Sequence, residues 1–159
     1  MQGNFTMKWT LFGILLFLAS CTSKGKSQQE LDECLGFFNA MIIDSAAIKA
    51  FKNDKSEFAD EALCNAAMEA MQRQIEAIHA AKVTNEALAK LKPRFVAART
   101  SHIEGLTQYR DGSAKLAQPD WVPPNGFAES LGAAAKAVSA ADKEYLAIVD
   151  EAKRICGLP

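Results

Sequence analysis

The sequence predicts an all-α fold, an up-down-up-down antiparallel four-helix bundle. Three observations lead there. Apolar residues recur at helical spacing along nearly all of residues 30–159, and no strand-like alternation persists. The periodic stretches divide into four segments of similar length, so all four can bury their stripes together. The breaks between them are mostly short, which favours antiparallel neighbours.

The first helix is expected over roughly Gln28 to Lys52, with a stripe of Leu31, Cys34, Phe38, Ile42, Ser45 and Ile48. It stops at Asn53. Asp54 followed by Glu57 then has the spacing of a capping box. The second helix is expected from Ser56 to Lys82, with Cys64, Met68, Met71, Ile75 and Ile78 on its stripe. Thr84 is placed to cap the third helix, Asn85 to Arg110, whose stripe includes Leu88, Leu91, Phe95, Ala98, His102 and Leu106. Pro93 lies inside it and lacks an amide donor, so a kink is expected there. A single long helix ending at Pro93 is the alternative to a break near Thr84. The break gives four helices of more equal length. Asp111 to Phe127 reads as a loop, with Gly112, Pro119, Pro123, Pro124 and Gly126 around Trp121. The fourth helix, Ala128 to Cys156, carries Leu131, Ala134, Val138, Ala141, Tyr145 and Val149, and its first half is rich in alanine.

A chain of 159 residues is enough for one domain, and 49% apolar residues are enough for a packed core. The formal charge is −1. No basic stripe is present, so the phosphate-neutralising term that drives nucleic-acid binding is missing and nucleic acid is not an expected partner.

The first 20 residues read as a targeting segment. Lys8 supplies a positive start, and Trp9–Ala19 is an apolar run too short to span a bilayer permanently. Translation starts at Met1 or at Met7. The run ends in Leu18-Ala19-Ser20-Cys21: an aliphatic residue, two small residues and a cysteine. This resembles the lipobox of bacterial membrane lipoproteins. The resemblance covers only the leader. It implies cleavage before Cys21, diacylglyceryl transfer to the Cys21 thiol and a fatty acyl chain (palmitate) on the new amino terminus. Two or three acyl chains hold a protein firmly to a membrane, where one holds it marginally. Thr22, rather than Asp, follows the cysteine. In a Gram-negative cell that pattern resembles those sorted to the outer membrane, facing the periplasm. Loss of Lys8 leaves 17 basic against 19 acidic residues, a charge near −2. Thr22–Gln29 is polar and reads as a flexible tether, so the expected organisation is a signal peptide over 1–20, a lipidated cysteine and tether over 21–29, and a bundle over 30–159.

Three cysteines remain in the domain. Beyond the inner membrane the compartment is oxidising, so one disulfide is expected. In an up-down-up-down arrangement Cys34 and Cys156 share the anchor-proximal end, whereas Cys64 lies roughly 30 Å from Cys156 at 1.5 Å per residue. Cysteines with alpha carbons more than about 7 Å apart cannot bridge. The expected pair is Cys34–Cys156.

Cys64 is then left as a core thiol. Counting outward from the expected turns places Ser45, Cys64 and His102 at one height, a polar layer facing the alanine-rich part of helix four. A buried histidine and cysteine at one level suit a metal, a haem or a thiol–imidazole pair. A satisfied core histidine that sets bundle register is the plainer reading. Glu76-x-x-His79 has the spacing of a di-iron carboxylate site, but His102 has Arg99 where the second glutamate would stand. No Cys-x-x-Cys-His, His-Glu-x-x-His, Gly-x-Ser-x-Gly or phosphate-cradling glycine loop occurs. Neither an enzyme, a cofactor nor a metal is expected. Trp121, in its proline-rich loop, either contacts a partner or plugs the open end of the bundle with Phe127.

The expected function is therefore that of a membrane-anchored envelope lipoprotein whose helical domain acts without catalysis, by contact with another envelope protein or the cell wall. The alternative is a carrier of a small ligand, haem or metal in the interior near His102 and Cys64.

Overall fold

The computed structural model describes residues 26–53 and 60–159. Its regular elements are all α-helices: α1 Gln28–Ile42, α2 Ser45–Asn53, α3 Glu61–Ala80, α4 Glu86–Leu116 and α5 Phe127–Cys156. No strand occurs among the described residues. The chain is an all-helical bundle in which α4 and α5 share the most extensive interface, and α1 packs on α3 and α5.

α1 begins with a capping box. The Ser27 side chain accepts the Glu30 N–H, and the Glu30 carboxylate accepts the Ser27 N–H at 2.7 Å. The single first helix expected from periodicity is interrupted at Ile43-Asp44, so α1 and α2 form one broken limb. Asp44 adopts φ 55°, a left-handed conformation that Asp tolerates better than most side chains. Two α3 side chains hold this break. Arg73 Nε donates to the Asp44 carboxylate at 2.5 Å, and Gln74 Nε2 donates to the Ile43 carbonyl at 2.8 Å.

Asp60 caps α3 by accepting the Leu63 N–H at 2.9 Å. The capping box expected at Asp54 and Glu57 lies outside the described residues, as does Cys21. Residues 81–85 separate α3 from α4, which places the break near Thr84 and not at Pro93. Asn85, not Thr84, caps α4, accepting the Leu88 N–H at 3.1 Å. Thr84 is engaged elsewhere: its N–H and that of Asn85 donate to the Glu33 carboxylate of α1, at 2.9 and 3.0 Å, and its hydroxyl joins them. The Thr84 hydroxyl and these amides hold the Glu33 carboxyl down at about 2.

α4 runs through Pro93 unbroken and ends at Leu116 instead of Arg110. The stretch read as loop is helical because it packs. Gly112 is buried, and a Cβ there would lie 2.3 Å from Leu131 Cδ2. Close approach to α5 thus outweighs glycine's poor helix propensity.

The core has two parts. One gathers Phe37, Met41, Ile78, Leu88, Leu91, Phe95 and Ile148, all at most 1% exposed, around Cys34 and Cys156. Those two cysteines are joined by a disulfide, with alpha carbons 5.8 Å apart. The other part gathers Ile48, Ala67, Ala70, Met71 and Leu106.

Candidate functional site

Polar side chains fill the level between the two core clusters. Along α3, Gln74 stands between Met71 of one cluster and Ile78 of the other. Along α4, Arg99 and His102 stand between Ala98 and Leu106, and along α5, Asp142 and Tyr145 stand between Val138 and Ile148. Gln74, Arg99 and His102 are each at most 2% exposed. Lys52 of α2 closes the layer from outside, with Nζ 2.5 Å from Asp142 Oδ2.

Asp142 is the one carboxylate of the layer. Its Oδ1 lies 3.6 Å from His102 Nδ1, too long for a hydrogen bond. Burial pushes the His102 imidazole down to about 4; Arg99 and Lys52 push the same way, against the attraction of Asp142. His102 is therefore neutral at pH 7. Arg99 is also pulled below its ordinary value by burial, opposed by Tyr145 and Asp142. Its guanidinium carbon stacks 3.7 Å from the Tyr145 ring centroid and 5.5 Å from that of Phe95. Such cation–π contacts return part of the desolvation cost of a buried charge. Gln74 Oε1, Arg99 Nε, His102 Nδ1 and Asp142 Oδ1 have no hydrogen-bond partner among the described residues.

The expected trio of Ser45, Cys64 and His102 is distributed differently. Ser45 is exposed at the first position of α2, just after the break. Cys64 is fully buried in α3. Asn65 meets Arg110 at 2.7 Å, and Met68 Sδ accepts the Thr107 hydroxyl at 3.3 Å. Cys64 thus lies at the level of Arg110, roughly 12 Å along α4 from His102 at 1.5 Å per residue. The cause is the link over 81–85. It is extended, so α4 starts well beyond the end of α3, and counting from a tight turn at residue 83 gives the wrong register. Among the described residues no group of three His, Cys, Asp or Glu side chains is placed to hold a metal ion. Glu76 and His79 are exposed.

The alanine-rich part of α5 does border an open space. A groove of about 410 Å³ runs between α4 and α5, with Ala97, Ala98, Ala137, Ala140 and Ala141 along its floor and walls. Arg94 stands at its rim, paired with Glu144 at 2.8 Å and Glu151 at 2.6 Å. His102 is not among the walls.

At the α4–α5 connection Trp121 is half-buried. Its ring meets Phe127 edge-on, with centroids 4.7 Å apart. Phe127 in turn reaches the Gly112 position. The loop is ordered by turns: the Trp121 N–H donates to the Gln118 carbonyl and the Phe127 N–H to the Pro124 carbonyl. The apolar side chain it offers to solvent is Val122, 82% exposed.

Sequence reasoning missed Asp142, Arg99, Gln74 and Lys52. A signal existed for three of them. Gln74 is three residues after Met71, Arg99 four after Phe95, and Asp142 four after Val138, each on the same stripe.

The chain matches no known family model, and no curated protein and no solved structure matches it.

Proposed function

We propose that this chain is a membrane-anchored envelope lipoprotein whose helical domain acts by contact and not by catalysis. One observation supports the reading together with the lipobox at Leu18–Cys21: the N-terminus of the domain and the Val122 loop lie at opposite ends of α5. Lys26, the last tether residue before the Ser27 cap, donates to the Ile155 carbonyl, and the Cys34–Cys156 disulfide is beside it. Val122 and Trp121 stand before the opposite end of α5. A 30-residue helix separates the two, about 45 Å at 1.5 Å per residue.

The helices alternate in direction, up-down-up-down, with α1 and α2 together as the first limb. The support is the stepping of cross-helix pairs. Gln74 with Ile43 joins the first limb to α3, and Thr84 with Glu33 joins it to the link after α3; Asn65 with Arg110 joins α3 to α4; Arg94 with Glu144 joins α4 to α5. The polar layer fixes this register, since slipping any helix by a turn would bury Arg99 or His102 against apolar neighbours.

The test is fractionation of cells expressing the full chain and its Cys21→Ser variant. The wild type is expected in the membrane fraction and Cys21→Ser in the soluble or uncleaved fraction. Membrane association that survives Cys21→Ser with cleavage intact would reject the anchor. A photocrosslinker at Val122 then identifies the envelope partner.

A second reading, a small polar ligand held in the interior, is favoured by the four buried polar atoms without hydrogen-bond partners among the described residues. It predicts a bound species on the purified domain that is lost in His102→Ala.

A further inference from the structure

α1 carries apolar side chains on both of its faces. The inner face, Cys34, Phe37, Ala40 and Met41, is buried. The outer face holds Leu35, Gly36, Asn39 and Ile42 and is continued by Ile43 just past the helix end, all exposed, with Leu35, Ile42 and Ile43 at 39%, 52% and 42%. From Cys34 to Ile43 there is no charged residue. The charges at either end are turned to local partners: Asp32 accepts from Gln28, and Asp44 pairs with Arg73. A Cβ on Gly36 would meet nothing within 4 Å, so among the described residues nothing lies over the middle of this strip.

The position of the strip in the chain indicates what does. Cys21 is six residues before Ser27, so a fully extended tether reaches roughly 20 Å. Leu35 and Ile42 lie roughly 10 and 21 Å along α1 from Gln28. The anchored lipid and the uncovered strip are thus at the same end of the molecule, and the tether is long enough to let one meet the bilayer that holds the other. Once the chain is anchored this contact is intramolecular, so a small apolar strip suffices to populate it.

We propose that the outer face of α1 lies against the membrane surface, with Leu35, Ile42 and Ile43 dipping below the lipid headgroups. This rests on lipidation of Cys21. The bundle then reclines on its anchor-proximal half and presents the Val122 loop along the membrane. The contact is apolar and not electrostatic: the strip is uncharged and Glu30, Asp32 and Glu33 precede it. Zwitterionic lipid is sufficient, and anionic lipid does not strengthen the contact.

The experiment uses the full-length lipidated protein in phosphatidylcholine vesicles with or without brominated acyl chains. Trp121 is the only tryptophan once the leader is removed and reports on the distal end. Leu35→Trp and Asn39→Trp, each with Trp121→Phe, report on α1; Asn39 is exposed and serves if the Leu35 variant fails to fold. Bromolipid is expected to quench both α1 reporters about twofold or more, equally with and without 30% anionic lipid, and to leave Trp121 unquenched. Vesicle flotation without quenching at residues 35 and 39 would overturn the proposal while leaving the anchor intact. Blue-shifted, unquenched emission from a protein of dimer mass would assign the strip to a second copy. Failure to float would remove the anchor and the proposal with it.

Discussion

The two halves of the core are secured by different means. Around Cys34 and Cys156 the bundle relies on large side chains and a covalent bond: Phe37, Phe95, Met41 and Ile148 fill the space, and the disulfide ties the first helix to the last. In the half beyond the polar layer it relies on small residues and close backbone approach. Ala67 and Ala70 are fully buried, and a Cβ on Gly105 would lie 2.8 Å from Val138 Cγ2 and 3.2 Å from the Ala134 carbonyl. The layer of Gln74, Arg99, His102 and Asp142 divides them. The half around the disulfide therefore resists opening by linkage and burial, whereas the half beyond the layer depends on fit. Changes of comparable size should have unlike consequences in the two.

The largest expected effect is loss of the staple. Cys34→Ala with Cys156→Ala opens a link between residues 122 apart, and the chain-entropy model assigns a loop of that size about 4–5 kcal/mol. Denaturant unfolding should show that loss, and amide exchange should rise first in α1 and the end of α5. Exchange rising first in the distal half would reverse the comparison.

Next comes the layer. Asp142→Ala removes the carboxylate nearest Lys52, Arg99 and His102 and leaves a buried guanidinium without its counter-charge, a cost of about 3 kcal/mol. His102 gives a pH signature. Its folded value, about 4, is below the ordinary 6.5, so the unfolded chain takes up the proton first. Its contribution is complete above pH 6.5 and is lost progressively as the pH falls to 4, by about 3 kcal/mol. His102→Gln should flatten that segment of the stability profile. An unchanged slope would mean the imidazole is protonated when folded.

Gly105→Ala probes the distal fit. The added methyl meets a backbone carbonyl that cannot rotate away, and about 1–2 kcal/mol should be lost in thermal unfolding. Smallest is Arg99→Met, expected within about 1 kcal/mol of wild type or more stable, because an apolar side chain of similar length avoids the desolvation cost. A loss of 3 kcal/mol or more would show that the guanidinium's contacts with Tyr145 and Phe95 outweigh that cost.

Much of the helical class was legible because burial imposes a 3.6-residue period whatever the side chains. Register and breaks were less so. The Ile43-Asp44 break is held by Arg73 and Gln74 from another helix, so no local signal reveals it. Gly112 reads as a loop residue until Leu131 of α5 is known to lie against it. The polar layer was visible in outline through His102. Its other members were hidden because each has an apolar neighbour in sequence, Ile75, Ala98 or Ala141, that serves the stripe equally well. Ser45 and Cys64 were placed beside His102 by counting from a turn that is in fact an extended link.

The most direct test of the account is the intact mass of the mature protein purified from membranes without reductant. It should correspond to a chain beginning at Cys21, carrying a diacylglyceryl group and an acyl chain, and lacking the two hydrogens of one disulfide. A mass for an unmodified chain, or for one cleaved elsewhere, would contradict the membrane anchor on which the proposed function stands.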